Sequence, residues 1–87
     1  MREKNIERKI RRYLEDRGWY VHKIYQDEKS SGFPDLIALK DERFLLIETK
    51  APAGRLRGTQ KYVHYKLKKA GVKVIIAKDI KDIEEAL

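Results

Sequence analysis

Cysteine is absent from this 87-residue chain, which rules out a disulfide framework and a zinc–thiolate site and gives no sign of an oxidising compartment. No stretch approaches the ~20 consecutive apolar residues of a membrane span, and no signal-peptide core follows the charged N-terminus. A soluble, intracellular and cytoplasmic chain is therefore expected. Repeats, low-complexity tracts and linkers are also missing, so one domain over residues 1–87 with one modest core is expected. A core this small is often supplemented by oligomerisation. There is no Ser/His/Asp set and no glycine-rich phosphate cradle, which leaves acyl transfer and nucleotide hydrolysis without support. Negative charge is in deficit: 21 Lys and Arg stand against 14 Asp and Glu, a net charge of +7 and a pI near 9.7. That sign favours a polyanionic partner, nucleic acid well before a membrane surface. A charged fraction of 40% also suits a heat-adapted protein with surface ion-pair networks, but balanced pairs do not account for the surplus.

What is present is organised around residues 32–50. Leu36-Ile37-Ala38-Leu39 and Phe44-Leu45-Leu46-Ile47 are short apolar runs separated by Lys40-Asp41-Glu42-Arg43, the pattern of two strands and a turn. With Asp41 and Glu42 as the loop, Lys40 pairs with Arg43, and carrying that register back sets Asp35 opposite Glu48. A four-residue loop from Lys40 to Arg43 keeps the same register. Facing residues of an antiparallel pair have Cβ atoms roughly 5 Å apart, where like charges repel. Two carboxylates held that way call for a cation, and oxygen ligands with room for water suit Mg²⁺ or Mn²⁺. Lys50, two residues beyond Glu48, falls on the same face. Acids at strand ends are commonly just solvated, and an isolated Glu-x-Lys is a weak motif. Here, however, both faces of the hairpin are apolar, so central strands covered on both sides are expected, and charges at their ends need a reason.

Ahead of the hairpin, Ile6, Ile10, Tyr13 and Leu14 recur at helical spacing from about Asn5, a plausible N-cap, to Asp16, with Gly18 as the stop. Arg8, Lys9, Arg11 and Arg12 make the polar face. Glu7 lies at the edge of the apolar stripe, where an exposed acid near the helix N-terminus or a partner for Arg11 would be unremarkable. Residues 19–25 are aromatic and β-branched and predict a first strand, with His22 an ordinary strand residue. The loop Gln26 to Gly32 is either a grip on backbone phosphate through Lys29, Ser30 and Ser31 or a plain connection. After Lys50, Arg55-Leu56-Arg57-Gly58 is a basic loop, and Thr59 is a good N-cap for a helix from Gln60 to Ala70. Gln60 falls on its buried side, and Lys61, Lys66, Lys68 and Lys69 make a further positive surface. Tyr62, His64 and Tyr65 are able to stack on bases, although buttressing the fold is the commoner use of such residues. Gly71 is a natural helix stop, residues 72–77 predict a fourth strand, and Asp79 or Asp82 starts a short final helix over the core.

Gly32-Phe33-Pro34-Asp35, then Glu48-Thr49-Lys50, resembles the PD-(D/E)xK nuclease core. The continuation Gly54-Arg55-Leu56-Arg57-Gly58-Thr59-Gln60 resembles the virus-type replication-repair nuclease (VRR-Nuc) branch, and archaeal Holliday-junction resolvases share the hairpin. The resemblance implies a restriction-endonuclease-like α/β core in the order αβββαβα, a central four-stranded mixed sheet flanked by helices. It also implies a metal-dependent endonuclease acting on DNA, with branched DNA such as four-way junctions, and a homodimer. Glu7, preferred to Glu3 and Glu15, Asp35, Glu48 and the Thr49 carbonyl would hold Mg²⁺ or Mn²⁺. Lys50 would stabilise charge and orient the nucleophile, and Gln60 would support the arrangement. Arg8, Lys29, Ser30, Ser31, Arg55, Arg57 and Lys61 are the expected DNA contacts, and Trp19, Tyr20, Tyr62 and Tyr65 the expected interface aromatics. The competing reading is a non-catalytic nucleic-acid-binding module on the same fold, or a nuclease of flaps, nicks or plain duplex. Facing carboxylates, which repel phosphate, weigh against the pure binder.

Overall fold

The hairpin forms in the register its turn dictates. In the computed structural model, which describes residues 3–26 and 32–87, strand β2 (Leu36–Lys40) runs antiparallel to β3 (Arg43–Thr49) from Lys40 opposite Arg43 to Leu36 opposite Ile47. The two loop residues, Asp41 and Glu42, both take positive φ (49° and 64°). That is the type I′ geometry whose twist matches the strands. Strand β1 (Tyr20–Lys23) adds antiparallel to β2, and β4 (Val74–Ala77) adds parallel to β3. The resulting sheet has the order β1-β2-β3-β4. A parallel neighbour requires a crossover, and α2 (Gly58–Lys69) supplies it; α1 (Glu3–Asp16) precedes the sheet and α3 (Ile80–Glu84) follows it. The αβββαβα order and mixed sheet are as the sequence predicts.

Alternation divides the sheet into two unequal faces. On one, Val21, Leu36, Ala38, Ile47, Ile75 and Ala77 meet the Ile6-Ile10-Leu14 stripe of α1 and Ile83 of α3 in one buried cluster. Each of the Val, Leu and Ile side chains contributes roughly 1.5–3 kcal/mol on burial. The other face carries α2 against β4 and is open at the hairpin end, where Leu39 is 41% and Phe44 51% exposed, with Tyr20 beside Leu39 on β1. The expectation of apolar cover on both sides thus holds for one face only. Helix α2 is tethered between the C-terminal end of β3 and the start of β4, so it serves the acid end of the hairpin and leaves the turn end bare.

Element ends differ from the sequence expectations where backbone bonds intervene. Helix α1 is already helical at Glu3, so Asn5 lies inside it and is not the N-cap. It stops at Gly18 (φ 88°), where Gly18 N–H donates to Glu15 O and Trp19 N–H to Leu14 O, the Schellman pattern. Helix α2 starts earlier than Thr59: Arg57 has the N-cap conformation, and its N–H donates to Gln60 Oε1 at 2.9 Å. Its end repeats the Schellman pattern at Gly71, and Val72 N–H, bonded to Leu67 O, delays β4 to Val74. Asp79 caps α3, its Oδ1 accepting from Ile80 N–H at 2.7 Å.

Candidate active site

Two backbone devices bring Asp35 to the end of β3. Gly32 has φ 104°, and a Cβ there would sit 2.7 Å from the Thr59 carbonyl oxygen, so the chain passes against the start of α2 as only glycine permits. Gln26 then grips Phe33 from both sides, its amide nitrogen donating to the carbonyl and its oxygen accepting from the N–H. Strand pairing ends at Leu36–Ile47, and Asp35 N–H donates to Ile47 O at 3.0 Å. The Asp35 side chain continues the connection: Oδ2 accepts from Thr49 N–H (2.9 Å) and from Thr49 Oγ1 (3.0 Å). One carboxylate oxygen is thereby fixed by β3. A carboxylate oxygen of Asp35, one of Glu48 and one of Glu3 lie within 4.8 Å of one another.

Glu48 is fully buried, and α2 holds both of its oxygens. Gln60 Nε2 donates to Oε2 at 3.3 Å, and His64 Nε2 lies 3.3 Å from Oε1. Burial first, then hydrogen bonding and charge from Asp35, push the Glu48 carboxyl up to about 8, against the opposing charge of Lys50. Burial, and then Lys50, hold the His64 imidazole below its ordinary value. The Glu48–His64 contact is therefore a hydrogen bond between largely uncharged partners at neutral pH rather than an ion pair. A buried acid that keeps its proton beside a second carboxylate is a site with an uncompensated need for positive charge. Lys50 is itself buried, its N–H bonded to Ala77 O at 3.0 Å, and its charge is felt at both Glu48 and His64.

The acid of α1 that lies with Asp35 and Glu48 in the cluster is Glu3, one turn before the expected Glu7. Helix α1 starts early enough to order Glu3 over the acid end of the sheet. Glu7, one turn on, meets Lys23 of β1, whose Nζ lies 2.9 and 3.0 Å from its two oxygens. That hydrogen bond, more than any other influence, raises the Lys23 ammonium above its ordinary value. His64 was legible only as an aromatic on a basic helix; its spacing of four from Gln60, which puts both on one helix face, was the available signal. Arg8, Arg55, Arg57 and Lys61 are exposed. Lys29, Ser30 and Ser31 lie outside the described residues. Trp19 is buried in the core, which removes it from the interface aromatics. No described helix is long and apolar enough to cross a membrane.

The residues present fit a hard divalent cation: the donors are all carboxylate oxygens, and no thiolate or clustered imidazole competes. A search of curated proteins finds no match to the chain. The VRR-NUC domain, a nuclease domain of restriction-endonuclease-like fold, matches residues 2–79, a span that includes Glu3, Asp35, Glu48, Lys50 and Gln60. The chain belongs to the VRR-NUC domain family.

Proposed function

We propose that the protein is a Mg²⁺- or Mn²⁺-dependent endonuclease that hydrolyses DNA phosphodiesters at branch points, four-way junctions first, and works as a homodimer. The observation that carries the reading is the convergence of Glu3, Asp35 and Glu48 on one point beside Lys50. Those three carboxylates are the residues that would hold the metal. When bound, a divalent ion there supplies Lewis acidity at a phosphoryl oxygen and makes water more acidic. The remaining work falls to side chains of the chain itself. Thr49 holds Asp35 in place, and Gln60 and His64 hold Glu48, so neither acid must reorganise as charge builds up. Lys50 presents its ammonium to the attacking water and to the phosphoryl oxygens, where negative charge grows as the P–O bond breaks. Arg8, Arg55, Arg57 and Lys61 take neighbouring backbone phosphates, which set register without reading sequence.

The dimer is supported by the bare end of the sheet. Tyr20, Leu39 and Phe44 are exposed together there, an apolar patch of the kind that marks association surfaces. A twofold contact through it would give two symmetric active sites able to nick two strands of one junction. The test is cleavage of linear duplex, nicked, flap, single-stranded and four-way-junction DNA with Mg²⁺ or Mn²⁺, alongside Lys50→Ala, and sedimentation of wild type and Phe44→Glu. Metal-dependent cutting that favours the junction, lost in Lys50→Ala, and a dimer that Phe44→Glu dissociates are the expected results. Cleavage that persists undiminished in chelator, or in Lys50→Ala, would refute the assignment.

A further inference from the structure

A groove of about 680 Å³ runs between α2 and β4, on the sheet face that bears Glu48. One of its lining residues, His64, also touches Glu48, so the groove lies next to the candidate active site. Tyr65, Val72 and Ile76 give it an apolar lining, and Tyr65 and Ile76 are exposed to a ligand. Lys61, Lys68 and Lys73 give it a basic rim, and among the described residues no acid lines it. Lys69 adds a further ammonium 5.5 Å from the Tyr65 ring.

This pairing of features selects the occupant. A second copy of the chain would bring two sets of lysines together. Duplex DNA presents its phosphates but keeps its base faces stacked, so the apolar lining would stay bare. A single strand offers both, phosphates for the lysines and flat bases for the aromatic ring. We infer that the α2–β4 groove binds unpaired DNA leading into the active site, and that the substrate class is DNA with single-stranded nucleotides beside the scissile phosphate. This rests on the nuclease reading for its purpose. A four-way junction meets the requirement through nucleotides that unpair at the crossover, and flaps and forks meet it outright.

The experiment is equilibrium binding, in EDTA, of a labelled oligo-dT strand and of a blunt duplex of equal length, to wild type, Tyr65→Ala, Tyr65→Phe and Lys68→Glu/Lys73→Glu, each checked for folding by thermal melting. Loss of one base–aromatic stack weakens single-strand binding roughly five- to hundred-fold, so the ratio of single-strand to duplex affinity should drop in Tyr65→Ala and recover in Tyr65→Phe. The double lysine variant should lose single-strand affinity and flatten its salt dependence. An unchanged ratio in Tyr65→Ala overturns the proposal. So does a change from dimer to monomer in Tyr65→Ala, which would assign the groove to a second copy. Failure of the nuclease reading shows separately, as wild type that cuts none of the DNA substrates with Mg²⁺ or Mn²⁺ while these binding ratios stand.

Discussion

His64 Nε2 lies 3.3 Å from Oε1 of the fully buried Glu48, and the fold keeps both groups away from their charged forms. The Glu48 carboxyl is pushed up to about 8 by burial first, and the His64 imidazole is held low, also by burial first. The acid is raised above its unfolded value near 4.5, so its contribution to stability is complete below that pH and disappears as pH rises through about 8. The imidazole is lowered, so its contribution is present above about 6.5 and disappears as pH falls through its folded value.

Metal-free protein should therefore lose about 2 kcal/mol of stability as pH rises from 6.5, above which the imidazole no longer opposes the loss, to about 8. Added Mg²⁺ should raise the melting temperature most at the alkaline end, because the ion binds the carboxylate. Thermal melts in EDTA and in Mg²⁺ across this range test the relationship. Glu48→Gln should flatten the metal-free profile, and a profile unchanged in that variant would show that another group carries it.

Asp35→Asn and Glu48→Gln each remove a metal-ligating charge and one source of repulsion toward phosphate. Cleavage should fall below detection in both, while DNA affinity stays level or improves up to several-fold. Single-turnover cleavage with Mg²⁺ and gel shifts in EDTA separate the two effects; a variant that cuts at the wild-type rate misplaces the site.

Glu3 and Glu7 should part company under mutation. Glu3→Gln should weaken metal-dependent cleavage at limiting Mg²⁺ and leave the melting temperature nearly unchanged, because Glu3 is exposed. Glu7→Gln should cost about 1 kcal/mol of stability by breaking a partly buried pair with Lys23, with little effect on the metal concentration needed for half-maximal rate. The reverse pattern in a metal titration would restore Glu7 to the cluster.

Replacing Arg55 and Arg57 with Ala should weaken binding to all DNA sequences alike and reduce the salt slope by roughly one unit per lost phosphate contact. The loop does not touch DNA if affinity and slope both stay as they were. The peptide N–H of Arg57, which caps α2, is retained in the variant, so the helix start is not at risk.

The turn carries a correctable strain. Glu42 sits at φ 64°, a left-handed conformation that costs a non-glycine residue about 1 kcal/mol. Glu42→Gly makes the Asp-Gly pair that type I′ turns prefer, and should raise stability by up to about 1 kcal/mol in denaturant melts. A destabilised Glu42→Gly would mean that the wild-type side chain makes a compensating contact.

How far the chain is legible depends on the range of the interaction that decides each feature. The two-residue turn and strand alternation are local, so the hairpin register, and with it the approach of Asp35 to Glu48, follows from residues 35–48 alone. The helix stops at Gly18 and Gly71 are equally local, because each needs only one residue at positive φ. The sequence alone thus determined the element order, the sheet and the pair of acids at its end. It did not determine which turn of α1 overhangs those acids, because Glu3 and Glu7 share one helix face and only the docking of that helix separates them. Nor did it show His64 reaching Glu48, since a contact across 16 residues depends on how far the crossover carries α2 along the sheet. The bare patch at Leu39 and Phe44 has the same origin. Apolar alternation marks a face as coverable, and only the reach of a twelve-residue helix, set by its two tethers, decides how much of that face it covers.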